Sequence, residues 1–172
     1  HRCCRRQRQM CIRDRSLNNN NDIYLVPAFT GLGAPYWDAN ARGVLSGITR
    51  DTSPKEIVRA TIEAVAYQTF DLFEAMKHDG LRPKIVKVDG GMVMNNWFSQ
   101  FLSDIVNVKV LRPKVQETTA LGAAFMAVLQ IGVYKSLKDI SKNWHLDKKF
   151  SPKMKNKYLS LIHISEPTRR LI

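Results

Sequence analysis

Cysteine is absent from residues 22–159: the chain's 3 cysteines, Cys3, Cys4 and Cys11, all fall near its start. That part therefore has no disulfide, no thiol nucleophile and no cysteine-based metal site, and it suits a reducing compartment. Long apolar runs are lacking too. The longest, Ala120 to Val133, contains Gln130 and two glycines and is shorter than the roughly 20 residues a membrane-spanning helix needs. Neither the G-x-x-x-x-G-K-[ST] of a P-loop nor the G-x-G-x-x-G of a dinucleotide fold occurs. His78 and His145 have no partners at ligand spacing, which argues against a histidine metal site. With 44 % hydrophobic residues, 9 Gly and 7 Pro, the chain is globular rather than disordered or collagenous.

What is plentiful is positive charge, a formal net +12. Six arginines against Asp14 put +5 of it in residues 1–15, residues 160–172 add +1, and +6 stays in residues 22–159. The excess there is mostly lysine between Lys135 and Lys157, with no RNA-binding motif. A solvated basic face is the reading, and no nucleic-acid partner is expected. The opening stretch HRCCRRQRQMCIRDRS has neither the apolar core of a secretory signal nor an amphipathic face. MCIRDRS and SLIHISEPTRR resemble translated sequencing-adapter read-through. Residues 1–21 and 160–172 are thus expected to be adapter-derived or disordered extensions, flanking one domain at 22–159.

Within that domain, Ile23 to Val26 and Gly43 to Ile48 read as short strands. Phe29 to Asp38, with two glycines, Pro35, Tyr36 and Trp37, reads as an ordered loop with the two aromatics as anchors. Ser53-Pro54-Lys55-Glu56 is a helix start: an N-cap, a proline at the first position and an acid completing a capping box. Val58, Ile62, Val65, Thr69, Leu72 and Met76 then share one face, and Gly80 marks the stop. Lys84 to Val88 alternates as a strand and runs through Asp89-Gly90-Gly91 into a helix starting at Asn95 or Asn96. Lys109 to Leu111 is a further strand, ended by Arg112-Pro113, and Thr118 or Thr119 caps a third helix through Ile131. The lysine-rich stretch from Ser136 to Tyr158 reads as irregular, with one short helix. Strand–helix alternation implies an α/β layer domain.

The strand–DGG–helix unit carries the most chemistry. Two glycines let backbone lie against a ligand with no Cβ between, and the following helix offers free N–H groups to a phosphate; paired glycines also serve plain tight turns. Asp89 reads as a strand-end residue bonded to its turn rather than a general base, and Asp38 as an Asx turn or local ion pair. Glu63 and Asp71, two turns apart, read as surface or packing-edge charges. Phe98, Phe101 and Phe125 read as core rather than a base-stacking platform.

Four segments, in order, carry a family resemblance. Pro27 to Asp38 (PAFTGLGAPYWD) resembles a signature of the glycerol-kinase branch of the FGGY carbohydrate kinases. Gly43 to Glu63 (GVLSGITRDTSPKEIVRATIE) resembles the wider family's second signature. Lys87 to Ile105 (KVDGGMVMNNWFSQFLSDI) is similar to its adenosine-binding turn, and Glu117 to Ala127 (ETTALGAAFMA) to the small-residue helix that follows. The resemblance covers 22–159 and implies an actin-like, ribonuclease H-type α/β fold, this chain being part of the C-terminal domain of a two-domain enzyme. It further implies transfer of the γ-phosphoryl group of ATP to glycerol with Mg²⁺ in the cytoplasm, giving sn-glycerol 3-phosphate and ADP. By position, Gly91 would present its backbone to the nucleotide, with Gly90 beside it, and Asn95 would offer its amide at the adenosine end. The family's catalytic aspartate, in a Gly-Asp-Gln context, and its glycerol-binding residues do not occur in this chain. No catalytic residue is therefore assigned, and the chain alone is expected to be inactive. Other readings are a different polyol or sugar kinase such as a pentulose kinase, a noncatalytic actin-like domain, or a basic nucleic-acid-binding module; homo-oligomerisation stays open.

Overall fold

A computed structural model describes residues 20–154. The expected extensions, apart from residues 20 and 21, lie outside the described residues, as do the three cysteines and residues 155–159.

β1 (Tyr24–Val26) and β2 (Val44–Ser46) form an antiparallel ribbon in the register Tyr24↔Ser46, Leu25↔Leu45, Val26↔Val44. The intervening loop is ordered by its own backbone: Leu32 N–H donates to Asp38 O at 2.7 Å, and Tyr36 and Trp37 N–H both donate to Gly33 O. Its anchors are not the expected pair. Trp37 is 78 % exposed, whereas the small residues Ala28 and Ala41 are buried; Tyr36, partly exposed, reaches Asp71 with its hydroxyl at 3.0 Å.

α1 (Pro54–His78) begins as its sequence dictates, with Ser53 as N-cap, Pro54 at the first position and the capping box with Glu56 closed. It ends in a Schellman motif: Gly80, at φ 84°, donates to Lys77 O, and Leu81 donates to Met76 O, an arrangement that needs the left-handed conformation glycine adopts cheaply. Its buried face differs from the expected stripe. Ile62, Ala66 and Phe73 enter the core together with Ala60, Ala64, Arg59 and Glu63, while Leu72 is exposed. α1 is covered along two sides, by β1 and by α2, so a single 3.6-residue stripe understates what it buries. Glu63 is accordingly no surface charge: it is 4 % exposed and pairs with Arg59 at 2.5 Å.

A second sheet has the order β3–β4–β5. β3 (Ile85–Lys87) runs parallel to β4 (Lys109–Pro113), and α2 (Asn96–Val106) makes the crossover between them. β5 (Leu146–Phe150) adds on antiparallel, Val110 opposite Phe150. The sequence gives little sign of this strand: an edge strand has one neighbour, and only Phe150 of its five residues is buried, so no apolar alternation marks it. The core lies between α1, α2 and this sheet, from Ile62, Ala66, Phe73, Phe98, Phe101, Leu102, Ile105, Val110 and Phe150. Ser99 and Ser103, fully buried on α2, donate to Val93 O and Val108 O, which satisfies hydroxyls that would otherwise be costly inside.

α3 (Thr118–Gln130) follows, then the short α4 (Leu137–Ser141). The N-cap of α3 is Glu117 rather than a threonine, and it makes no side-chain capping bond. Thr118, the first helical residue, instead turns its hydroxyl to Asp89.

Candidate functional site

The site grows out of the C-terminal end of β3. Val88 N–H donates to Leu111 O at 3.1 Å, which prolongs the parallel ladder one residue past the strand. Asp89 then accepts from the Thr118 hydroxyl, tying the strand end to the first turn of α3. That contact, like the bond from Asn40 N–H to Asp38 at 2.8 Å, makes these carboxylates structural.

Gly90 lies at φ 86°, ψ 174°, a region of backbone space essentially reserved for glycine. Its N–H reaches toward Gln116 O at 3.4 Å, and a Cβ built on it would meet nothing within 4 Å. The conformation demands glycine, and the space in front of it is open. Gly91 starts a single 3₁₀ turn, Gly91–Met94, whose last buried member is Val93. Asn95, in extended backbone, then caps α2: its Oδ1 accepts from Trp97 N–H at 2.9 Å and Phe98 N–H at 3.4 Å. The three expected residues are thus brought into one corner, with unequal positions. Gly90 and Gly91 are exposed, and Asn95 is buried behind them with its carbonyl oxygen committed to the helix.

Two groups that hold this corner escape sequence reasoning. Arg112, which reads with Pro113 as a strand stop, is a buried member of β4. Its Nη1 donates to Val93 O at 2.9 Å, Met94 O at 3.3 Å and Asn96 Oδ1 at 3.1 Å, and its Nε donates to Asp147 at 2.7 Å. Arg59 lies 3.7 Å over the Trp97 ring, which stacks on Phe101. A pair of charges at i and i+4, Arg59 and Glu63, could have been read as an ion pair, but its burial could not. Burial pushes the Glu63 carboxyl above the ordinary carboxylate range against the pull of Arg59, and it raises the Tyr67 hydroxyl still further.

Phe98 and Phe101 lie in the core, while Phe125 meets Tyr134 edge-on at 6.1 Å, outside that core. Among the described residues no group of three or more His, Cys, Asp or Glu is placed to hold a metal ion, and no helix is long and apolar enough to cross a membrane. A cavity of about 300 Å³ opens between the β1–β2 loop and α1, lined by Leu32, Tyr36, Val65 and Leu72 among others; none of the corner's residues reaches it.

Residues 13–131 match the C-terminal domain of the FGGY family of carbohydrate kinases. The chain belongs to that family. All three residues of the corner fall within the match. The chain is 59 % identical over 136 residues to glycerol kinase 1 of Pseudomonas aeruginosa, covering 79 % of this chain and 28 % of that protein. It is 56 % identical over 139 residues to a glycerol kinase of Alcanivorax borkumensis, covering 80 % and 28 %. It thus spans little more than a quarter of the curated relatives it matches. The fold is similar to Plasmodium falciparum glycerol kinase solved with ADP, at TM-score 0.77 and 34 % identity over 95 % of this chain and 34 % of that one. A ligand-bound xylulose kinase from Lactobacillus acidophilus gives 0.76 and 26 %, again over 95 % and 34 %. This FGGY domain is a mixed α/β structure of the actin-like ATPase type.

Proposed function

We propose that this chain is the nucleotide-binding part of the C-terminal domain of a cytoplasmic, ATP-dependent glycerol kinase. Gly90 and Gly91 lay bare backbone against the nucleotide, and Asn95 closes the turn and offers its amide at the adenosine end. The single observation that carries the reading is the Gly90 corner: a glycine-only conformation at the end of a parallel strand, open in front and followed by a capped helix. Identity of 59 % to a glycerol kinase favours glycerol over a pentulose as acceptor; the backbone, which fits both kinds of kinase about equally, does not choose.

Phosphoryl transfer depends on positioning and on neutralising charge. The described residues offer one wall of such a site, and the family's Gly-Asp-Gln aspartate does not occur in the sequence; the chain is therefore expected to be inactive alone and to work as a clamp for the nucleotide. Among the described residues no three His, Cys, Asp or Glu side chains gather to cage Mg²⁺. The test is a KM measurement in the parent enzyme, with its upstream sequence restored. Gly91→Trp puts an indole where backbone faces the ligand and is expected to raise KM for ATP about tenfold or more while KM for glycerol stays put. An unchanged KM for ATP removes the corner from the site. Salt-sensitive nucleic-acid binding by residues 22–159 would favour the basic-module reading instead.

A further inference from the structure

We propose that Arg112 is the positioning residue of the nucleotide corner, holding the 3₁₀ turn in its binding shape from β4; this rests on the function proposed above. The guanidinium fork divides its labour. Its Nε and Nη2 both lie 2.7 Å from one oxygen of Asp147 on the neighbouring strand β5, which fixes the plane of the group. Its Nη1 faces the opposite way, toward Val93 O, Met94 O and Asn96 Oδ1. Those acceptors all belong to residues 93–96, the segment that joins Gly91 to the first turn of α2 and includes Asn95. Arg112 thereby bridges the sheet directly to this segment. Ser99 shares Val93 O from within α2, and on the strand side the corner is held by the Gly90–Gln116 and Asp89–Thr118 contacts.

A short 3₁₀ turn has poor hydrogen-bond geometry of its own, and Met94 and Asn96 on either side of Asn95 are exposed. Its shape is therefore set by what grips its carbonyls. Arginine suits the task because its donors are fixed in a plane and diverge, so one group can bind a carboxylate on one side and carbonyls on the other. A lysine ammonium at the same place is a point charge that can keep Asp147 or the turn in good geometry, not both. A preformed turn binds its ligand without first being ordered, which lowers the cost of binding.

The experiment is steady-state kinetics of the parent enzyme carrying Arg112→Lys, alongside direct calorimetric titration with ADP. Arg112→Lys is expected to raise KM for ATP and the Kd for ADP by roughly five- to twentyfold, with kcat within about twofold and KM for glycerol unchanged, the pattern of lost binding in ground and transition state alike. A purely structural role would instead lower the active fraction, so that kcat falls at constant KM; that result overturns the proposal. Should Arg112→Lys not fold, Asn96→Ala decides. It removes one acceptor at an exposed position, and a twofold to threefold rise in KM for ATP is expected (about 0.4–0.65 kcal/mol); no rise overturns the proposal. If the unsubstituted parent binds ADP but does not phosphorylate glycerol, the acceptor assignment fails, and the calorimetric comparison still decides the role of Arg112.

Discussion

α2 and α3 are near twins on paper. They have 11 and 13 residues, each follows a strand of the same sheet, and they carry one charged residue and none. In the structure they part company. α2 buries eight of its residues, between α1 on one side and β4 and β5 on the other, whereas α3 buries none. Met126 of α3 is 52 % exposed, and Phe125 finds Tyr134 just beyond the helix's own end. A helix that is apolar all round normally lies in a core. Composition told how much each helix wants to bury; what stands opposite decides whether it does. Among the described residues, α3 is where apolar surface stays open.

The comparison breaks most sharply under core truncation. Phe98→Ala in α2 is expected to cost about 3–5 kcal/mol in urea unfolding of the chain, because the ring leaves a cavity its neighbours cannot close. Met126→Ala in α3 should stay within about 0.5 kcal/mol, as surface changes do. If the remainder of the kinase covers α3, the same Met126 variant becomes costly in the parent. Equal losses for both variants in the isolated chain would mean that α3 is packed after all.

A smaller contrast lies at the helix starts. Asn95 caps α2 with two backbone bonds, while Glu117 caps α3 with none. Asn95→Ala should therefore lower stability by about 1 kcal/mol, and Glu117→Ala by no more than a few tenths. A large loss at Glu117 would show a contact for that side chain.

The same physics explains what the sequence revealed. Local signals were legible because their partners are local: the Ser53–Glu56 box and the Gly80 stop are each complete within a few residues, and the Gly90 conformation is set by its own backbone. Arg112 was not legible, since its partners lie 16 to 35 residues away and its burial depends on strand β5, itself unmarked by any alternation. Glu63 shows the same limit. Its spacing from Arg59 is visible in the sequence, but the second covering layer that buries the pair comes from the tertiary fold. Of the candidate site, the exposed glycines were readable from turn chemistry. The double duty of Asn95, needed for capping and buried behind the turn, emerged only from the geometry.

The smallest expected effect separates α1 from α3 by pH. Hydrogen bonds from Ser53, foremost its hydroxyl, hold the Glu56 carboxyl below its ordinary value of 4.5, whereas the first turn of α3 contains no acidic residue. A depressed folded-state value means that the unfolded chain takes up the proton first as pH falls. The ionised capping box thus contributes fully above 4.5 and progressively less below, until the folded-state carboxyl is protonated too. Stability of the chain compared with Glu56→Gln should accordingly differ most near neutral pH and converge as pH falls below 4.5, read from urea midpoints at a series of pH values. Glutamine keeps the shape and one acceptor but cannot ionise, so convergence isolates the charge. A gap that stays constant from pH 7 to pH 3 would mean that the box works through shape alone, and that the starts of α1 and α3 differ in geometry rather than in charge.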